Sequence, residues 1–119
     1  MIKFTIAVLL MTASITIAAG EADVIAVEAR YNGGNSFQII TTVKHSDTGW
    51  DHYANGWEIV DENGQVLGKR VLYHPHENEQ PFTRSHTLDI PATVNTITVR
   101  ALDSVHGSGG KTVSVKLQR

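Results

Sequence analysis

Beyond residue 20, apolar and polar residues alternate along most of the chain, and turn-forming residues interrupt the alternation at short intervals. In SFQIITTVK (36–44), Phe37, Ile39, Thr41 and Val43 fall on one side, the two-residue period of a half-buried strand. ADVIAVEARY (22–31), NGWEIVD (55–61), QVLGKRVLY (65–73), FTRSHTLDI (82–90), NTITVRAL (95–102) and KTVSVKLQ (111–118) are further strand candidates. Asn63-Gly64 is a hairpin signal between two of them, and Gly68 predicts a bulge or a close backbone approach. No convincing helical period occurs in this part of the chain. Seven short strands at hairpin spacing predict an all-β, two-sheet antiparallel sandwich of immunoglobulin or fibronectin type III kind.

The first twenty residues follow a different pattern. Lys3 precedes an almost unbroken apolar run from Phe4 to Met11, and the small residues Ala18, Ala19 and Gly20 come before the charges of Glu21 and Asp23. This is the layout of a secretory signal peptide over 1–20, too short for a comfortable membrane span. Cleavage is expected between Ala18 and Ala22, leaving one β-sandwich domain over 21–119 in the periplasm or outside the cell, with no membrane insertion.

Charge and sulfur content narrow the chemistry. Without Lys3, nine basic residues face twelve acidic ones, a net charge of −3 and no basic stripe for nucleic acid. The chain has no cysteine, and its two methionines, Met1 and Met11, lie in the leader. The domain must therefore fold by packing alone, and its metal donors are limited to imidazole, carboxylate and amide oxygen.

The connections differ from one another more than the strands do. Successive antiparallel strands reverse direction, so alternate connections lie at opposite ends of the sandwich. The first, third and fifth (32–35, 62–64, 91–94) are tight; the second, fourth and sixth (45–54, 74–81, 103–110) are long. His45 and His52 lie in the second, His74 and His76 in the fourth, and His106 in the sixth; His86 lies just past the fourth. Asp47, Asp51, Glu77, Glu79 and Asp103 accompany them. Loops on a rigid scaffold are where binding residues concentrate.

His74-Pro75-His76 has a specific physical content. Proline holds its neighbour extended, and residues two apart in extended chain project to one side, so both imidazoles can address a single ion. Glu77 or Glu79 could add an oxygen; the competing reading is a stiff surface turn with solvated histidines. In DSVHGSGG (103–110), the glycines allow His106 to curl over the end of the sandwich, with Asp103 orienting its ring or ligating; a flexible hairpin is the alternative. Trp57 is expected in the core, Trp50 and Tyr53 as pocket walls or a packing lid, and His45 rather than His52 as the residue facing the site. Arg84 shares strand parity with Phe82, which predicts an ion pair with Glu77 or Glu79 that holds the loop.

The run VLGKRVLYHPHENEQPFTRS, the later IPATVNTITVRALDSVHGSGGKTV and the tryptophans before them resemble a family of small exported bacterial proteins of unassigned function. The HPHxxEQPFTR motif carries the resemblance. It implies a periplasmic home and points to His74, His76, Glu79, Gln80, Arg84 and His106, but it supplies no activity.

The leading expectation is a periplasmic binding protein for Cu(II), Zn(II) or Ni(II), with His74, His76, His106, His45, Glu79 and Asp103 as donors and no organic cofactor. A metal-independent module gripping a protein or envelope component is the second expectation, and a small metal-dependent hydrolase the third. No serine elbow or HExxH run is present, and a histidine site is not by itself catalytic.

Overall fold

The computed structural model describes residues 20–119. The expected signal peptide over 1–20 lies, apart from Gly20, outside the described residues. Seven strands follow: β1 (Asp23–Tyr31), β2 (Ser36–Lys44), β3 (Ala54–Val60), β4 (Val66–Val71), β5 (Phe82–Asp89), β6 (Thr96–Asp103) and β7 (Val113–Lys116). They form two antiparallel sheets, ordered β1-β2-β5 and β4-β3-β6-β7. The chain is thus the two-sheet sandwich that the alternation predicts. The fourth strand joins β3 instead of β5, which departs from the constant-type immunoglobulin arrangement, where it joins the first sheet.

Alternation does the work of folding. In β2 the side chains of Phe37, Ile39, Thr41 and Val43 are fully buried. β6 answers from the opposite sheet with Ile97, Val99 and Ala101, and Trp57 and Ile59 of β3 fill the space between them. Trp57 is wholly buried, as expected, so trimming it to alanine would cost about 3–5 kcal/mol.

Gly68 shows both predicted features. The β3–β4 register slips beside it, from Ile59↔Gly68 to Val60↔Val66, and a methyl group there would overlap the Leu88 side chain of β5. The edges of the two sheets approach each other at this point. His86, inward-facing on β5, lies edge-on to Trp57 with ring centroids 6.3 Å apart, away from the other histidines' loops.

The long second, fourth and sixth connections span 45–53, 72–81 and 104–112 and meet at one end of the sandwich. Asp47 in the second accepts the N–H of His76 in the fourth at 2.7 Å, and Ser104 in the sixth accepts the N–H of Tyr53 in the second at 3.0 Å. The turns at the other end are short.

Candidate metal centre

Two of the donors come from strand parity, His45 one step past the end of β2 and Asp103 at the last position of β6. His45 extends the inward row Phe37–Ile39–Thr41–Val43, and Asp103 extends Ile97–Val99–Ala101. Each therefore faces inward where the apolar core ends, His45 4% exposed and Asp103 3%. A carboxylate there needs partners. Asp103 Oδ1 accepts the N–H groups of Val105 at 2.8 Å and His106 at 2.5 Å, and its Oδ2 lies 3.1 Å from His106 Nδ1. Burial pushes the Asp103 pKa up, but the His106 and Val105 N–H groups and the His106 ring outweigh it, and the carboxyl sits below its ordinary range.

The third donor arrives through a tight loop. Thr48 N–H donates to the His52 carbonyl at 3.0 Å, and His52 N–H donates to the Gly49 carbonyl at 3.3 Å. Gly49 has φ +112°, a backbone conformation that favours glycine, and the turn folds His52 back over the end of the core. His52 Nε2 comes to 3.3 Å from His45 Nε2 and 3.4 Å from Asp103 Oδ1; His45 Nε2 lies 3.7 Å from Asp103 Oδ2. Among the described residues, His45, His52 and Asp103 form the group whose donor atoms converge within metal-binding reach, all within 4.8 Å of one another. With bonds of about 2.0–2.1 Å, the edges of a tetrahedral centre are about 3.3 Å, so this spacing fits a single ion.

Asp47 stands behind His45. Its side chain is fully buried; Oδ1 lies 2.5 Å from His45 Nδ1 and accepts the Ala54 N–H at 3.0 Å, while Oδ2 takes the His76 N–H. A carboxylate at Nδ1 favours the proton there, the usual arrangement behind a metal-bound histidine, and Nε2 then faces His52, Asp103 and, at 2.9 Å, the Gly20 carbonyl. Both buried carboxylates have only histidine among their charged partners; no Lys or Arg pairs with either among the described residues.

The structure divides the expected donors into two groups. His45 and Asp103 lie in the centre with His52, while His106 borders it, ring centroid 5.0 Å from His52, with Nδ1 on Asp103. His76 is buried behind Asp47, stacked on Phe82 at 4.0 Å, and its Nδ1 has no hydrogen-bond partner, 3.9 Å from Asp47 Oδ2. Burial lowers its pKa, helped by the charges of Arg84 and His74, against Asp47 and Glu79.

His74 lies further out. Its ring is 4.7 Å from that of His76, and its Nδ1 faces the Pro75 carbonyl at 3.1 Å. Glu79 is exposed and paired with Arg84 at 2.9 Å, the loop-holding contact foreseen from parity. Gln80 also fastens the loop: its Oε1 accepts the His45 N–H and its Nε2 donates to the His76 carbonyl. An open cleft of about 470 Å³ runs along His74, Pro75, His76, Glu77, Asn78, Glu79 and Arg84, beside the buried trio. Trp50 stays 68% exposed, edge-on to Tyr53, and lines none of it.

In the sequence His52 ranks behind His45, and Asp47 stands only among the accompanying acids. The available signal for His52 was Gly49 three residues before it, able to reverse the loop. For Asp47 the signal was its position two residues from His45.

No family model matches the chain. A curated protein described as "Putative lipoprotein", from Halomicrobium mukohataei, is 38% identical over 95 residues, covering 80% of this chain and 47% of its own length. The chain thus spans about half the length of the curated relative it matches. Among solved structures, a superoxide reductase (neelaredoxin) from Ignicoccus hospitalis is similar with a TM-score of 0.56 at 15% identity, over 87% of this chain and 85% of that one. A superoxide reductase from Giardia intestinalis gives a TM-score of 0.46 at 17% identity, over 80% and 99%. The first likeness shows that this strand arrangement recurs in a natural β fold.

Proposed function

We propose that this chain is the metal-binding domain of an exported protein, holding a divalent transition metal through His45, His52 and Asp103. The observation that carries the reading is the convergence of two imidazole Nε2 atoms and a carboxylate at 3.3–3.7 Å, in a buried site without Lys or Arg partners among the described residues. Two imidazoles and one carboxylate suit Zn(II), Cu(II) and Ni(II), and this donor set is also the one that non-haem Fe(II) sites use. Residues 20–119 contain no sulfur, so nitrogen and oxygen must hold the ion.

Export is supported by the leader pattern over 1–20 and by the description of the Halomicrobium mukohataei relative as a putative lipoprotein. This sequence has no cysteine, so a cysteine-linked lipid has no attachment point within it. The resemblance carried by HPHxxEQPFTR fits the same home.

Titration of purified, tag-free, metal-free protein with Zn(II), Cu(II), Ni(II) and Fe(II) tests the reading. One ion per chain is expected, with binding lost in His45→Ala and Asp103→Asn. Stoichiometric binding that persists in a variant lacking His45, His52 and Asp103 would sink it. A redox role is the second reading, favoured by the donor set and by the likeness to a superoxide reductase. The iron-loaded protein should then consume superoxide faster than free iron does.

A further inference from the structure

We infer that the backbone carbonyl of Gly20 is the fourth donor of this centre, so that the segment leading into β1 closes the metal's coordination sphere. The inference rests on the metal-binding reading above and goes beyond it by assigning the position that three side chains leave open.

The Gly20 oxygen lies 2.9 Å from His45 Nε2, the same ring nitrogen that faces His52 at 3.3 Å and Asp103 at 3.7 Å. Donors on one ion with bonds of about 2.0–2.1 Å stand about 2.9 Å apart at a right angle and about 3.3 Å apart at the tetrahedral angle. When His45 is neutral with its proton on Nδ1 toward Asp47, Nε2 carries a lone pair; a doubly protonated ring instead donates Nε2–H to the Gly20 carbonyl. In the neutral ring that lone pair meets a carbonyl oxygen and a carboxylate, with another ring nitrogen beside them. Acceptors gathered around Nε2 in this way repel one another until a cation, a proton or a metal ion, stands between them.

The segment is built into the fold. Ala22 and Val24 are 1% exposed. Asp23 Oδ1 accepts the Lys111 N–H at 2.7 Å, and Val24 N–H donates to the Lys111 carbonyl at 2.8 Å. Gly110 makes room for it, because a Cβ there would overlap the Ala22 carbonyl; one on Gly109 would overlap the Glu21 carboxylate. For a four-coordinate ion such as Zn(II), four protein donors make a closed site of the structural kind, without an open position for catalysis. Metal entry and release then require this segment to lift. Because leader cleavage is expected between Ala18 and Ala22, the bond that is cut decides whether Gly20 remains.

The test uses the exported protein, with its N-terminus read by intact mass, and Co(II) and Zn(II) as probes. It is compared with a variant lacking Gly20 and Glu21 and with Gly110→Ala, which keeps Gly20 but displaces the segment. Affinity is measured by chelator competition, coordination by the Co(II) absorption spectrum, and folding by thermal unfolding without metal. The deletion should weaken Zn(II) by about tenfold or more, the scale on which centre-building groups act. It should also change the Co(II) spectrum, and Gly110→Ala should move both in the same direction. Equal affinity and an identical spectrum in all three would overturn the inference, leaving Gly20 as a hydrogen-bond acceptor for His45. An exported protein that begins after Gly20 and binds metal would overturn it too. If no form binds metal, the centre itself fails, and the inference with it.

Discussion

The HPH run and the buried trio make opposite impressions in the sequence and in space. His74-Pro75-His76 puts two imidazoles and two nearby carboxylates within six residues, yet His74 is exposed and Glu79 is taken up by Arg84. His45, His52 and Asp103 are spread over 59 positions and match no motif, yet their donor atoms converge. Local density brings side chains near one another along the chain; an ion needs donors aimed from several directions. A sandwich end provides that aim, because strands from both sheets stop there with fixed parity.

The largest expected effect separates the two groups outright. His45→Ala or Asp103→Asn should reduce metal affinity by about a hundredfold or more, while His74→Ala, whose ring touches none of the three donors, should change it less than about threefold, below the roughly 10–100-fold scale of groups that hold a ligand in place. Isothermal titration of the three variants measures this, and equal losses in all three would put His74 on the same footing as His45 and Asp103.

Asp47 is the next point of attack, since it joins the groups. Asp47→Ala leaves the Ala54 N–H, the His76 N–H and the His45 ring without their acceptor in a buried site. Metal-free protein should lose about 2–4 kcal/mol in urea unfolding, with weaker metal binding as well. Unchanged stability would show that the loops dock without it.

A smaller effect should come from His76. Its pKa is lowered in the folded protein, so the unfolded chain takes up a proton first as pH falls. Stability is therefore unaffected well above the unfolded value of about 6.5 and declines as pH drops below it toward the lower folded value. Denaturation curves between pH 8 and 5 should show the decline, and His76→Phe, which keeps the stacking on Phe82, should flatten it. A decline equally steep in that variant would assign the effect to another group.

The smallest concerns Glu79. Its ion pair with Arg84 is partly solvated, so Glu79→Ala should shift stability by less than about 1 kcal/mol and leave metal affinity alone. Loss of binding in this variant would return Glu79 to the metal.

Much of the architecture was readable in advance because alternation is a local property. The expected strand over 36–44 is β2 residue for residue, and the 82–90 run differs from β5 by one. The gathering of long connections at one end followed from counting reversals. The pairing of β4 with β3 was not readable, because an edge strand can satisfy its backbone on either sheet. The site was readable in part. His45 and Asp103 could be taken from the continuation of two inward rows, whereas His52 required the path of an irregular loop, which turns on Gly49.

The order of residues alone determined a sulfur-free domain of alternating strands with five of its six histidines in its long connections, because periodicity and composition are written along the chain. Which of those histidines share one point was decided only in three dimensions. The distance between donor atoms depends on how two sheets stack, how the second and fourth connections meet at Asp47 and how the sixth meets the second at Tyr53, and none of these is encoded in any short stretch of sequence.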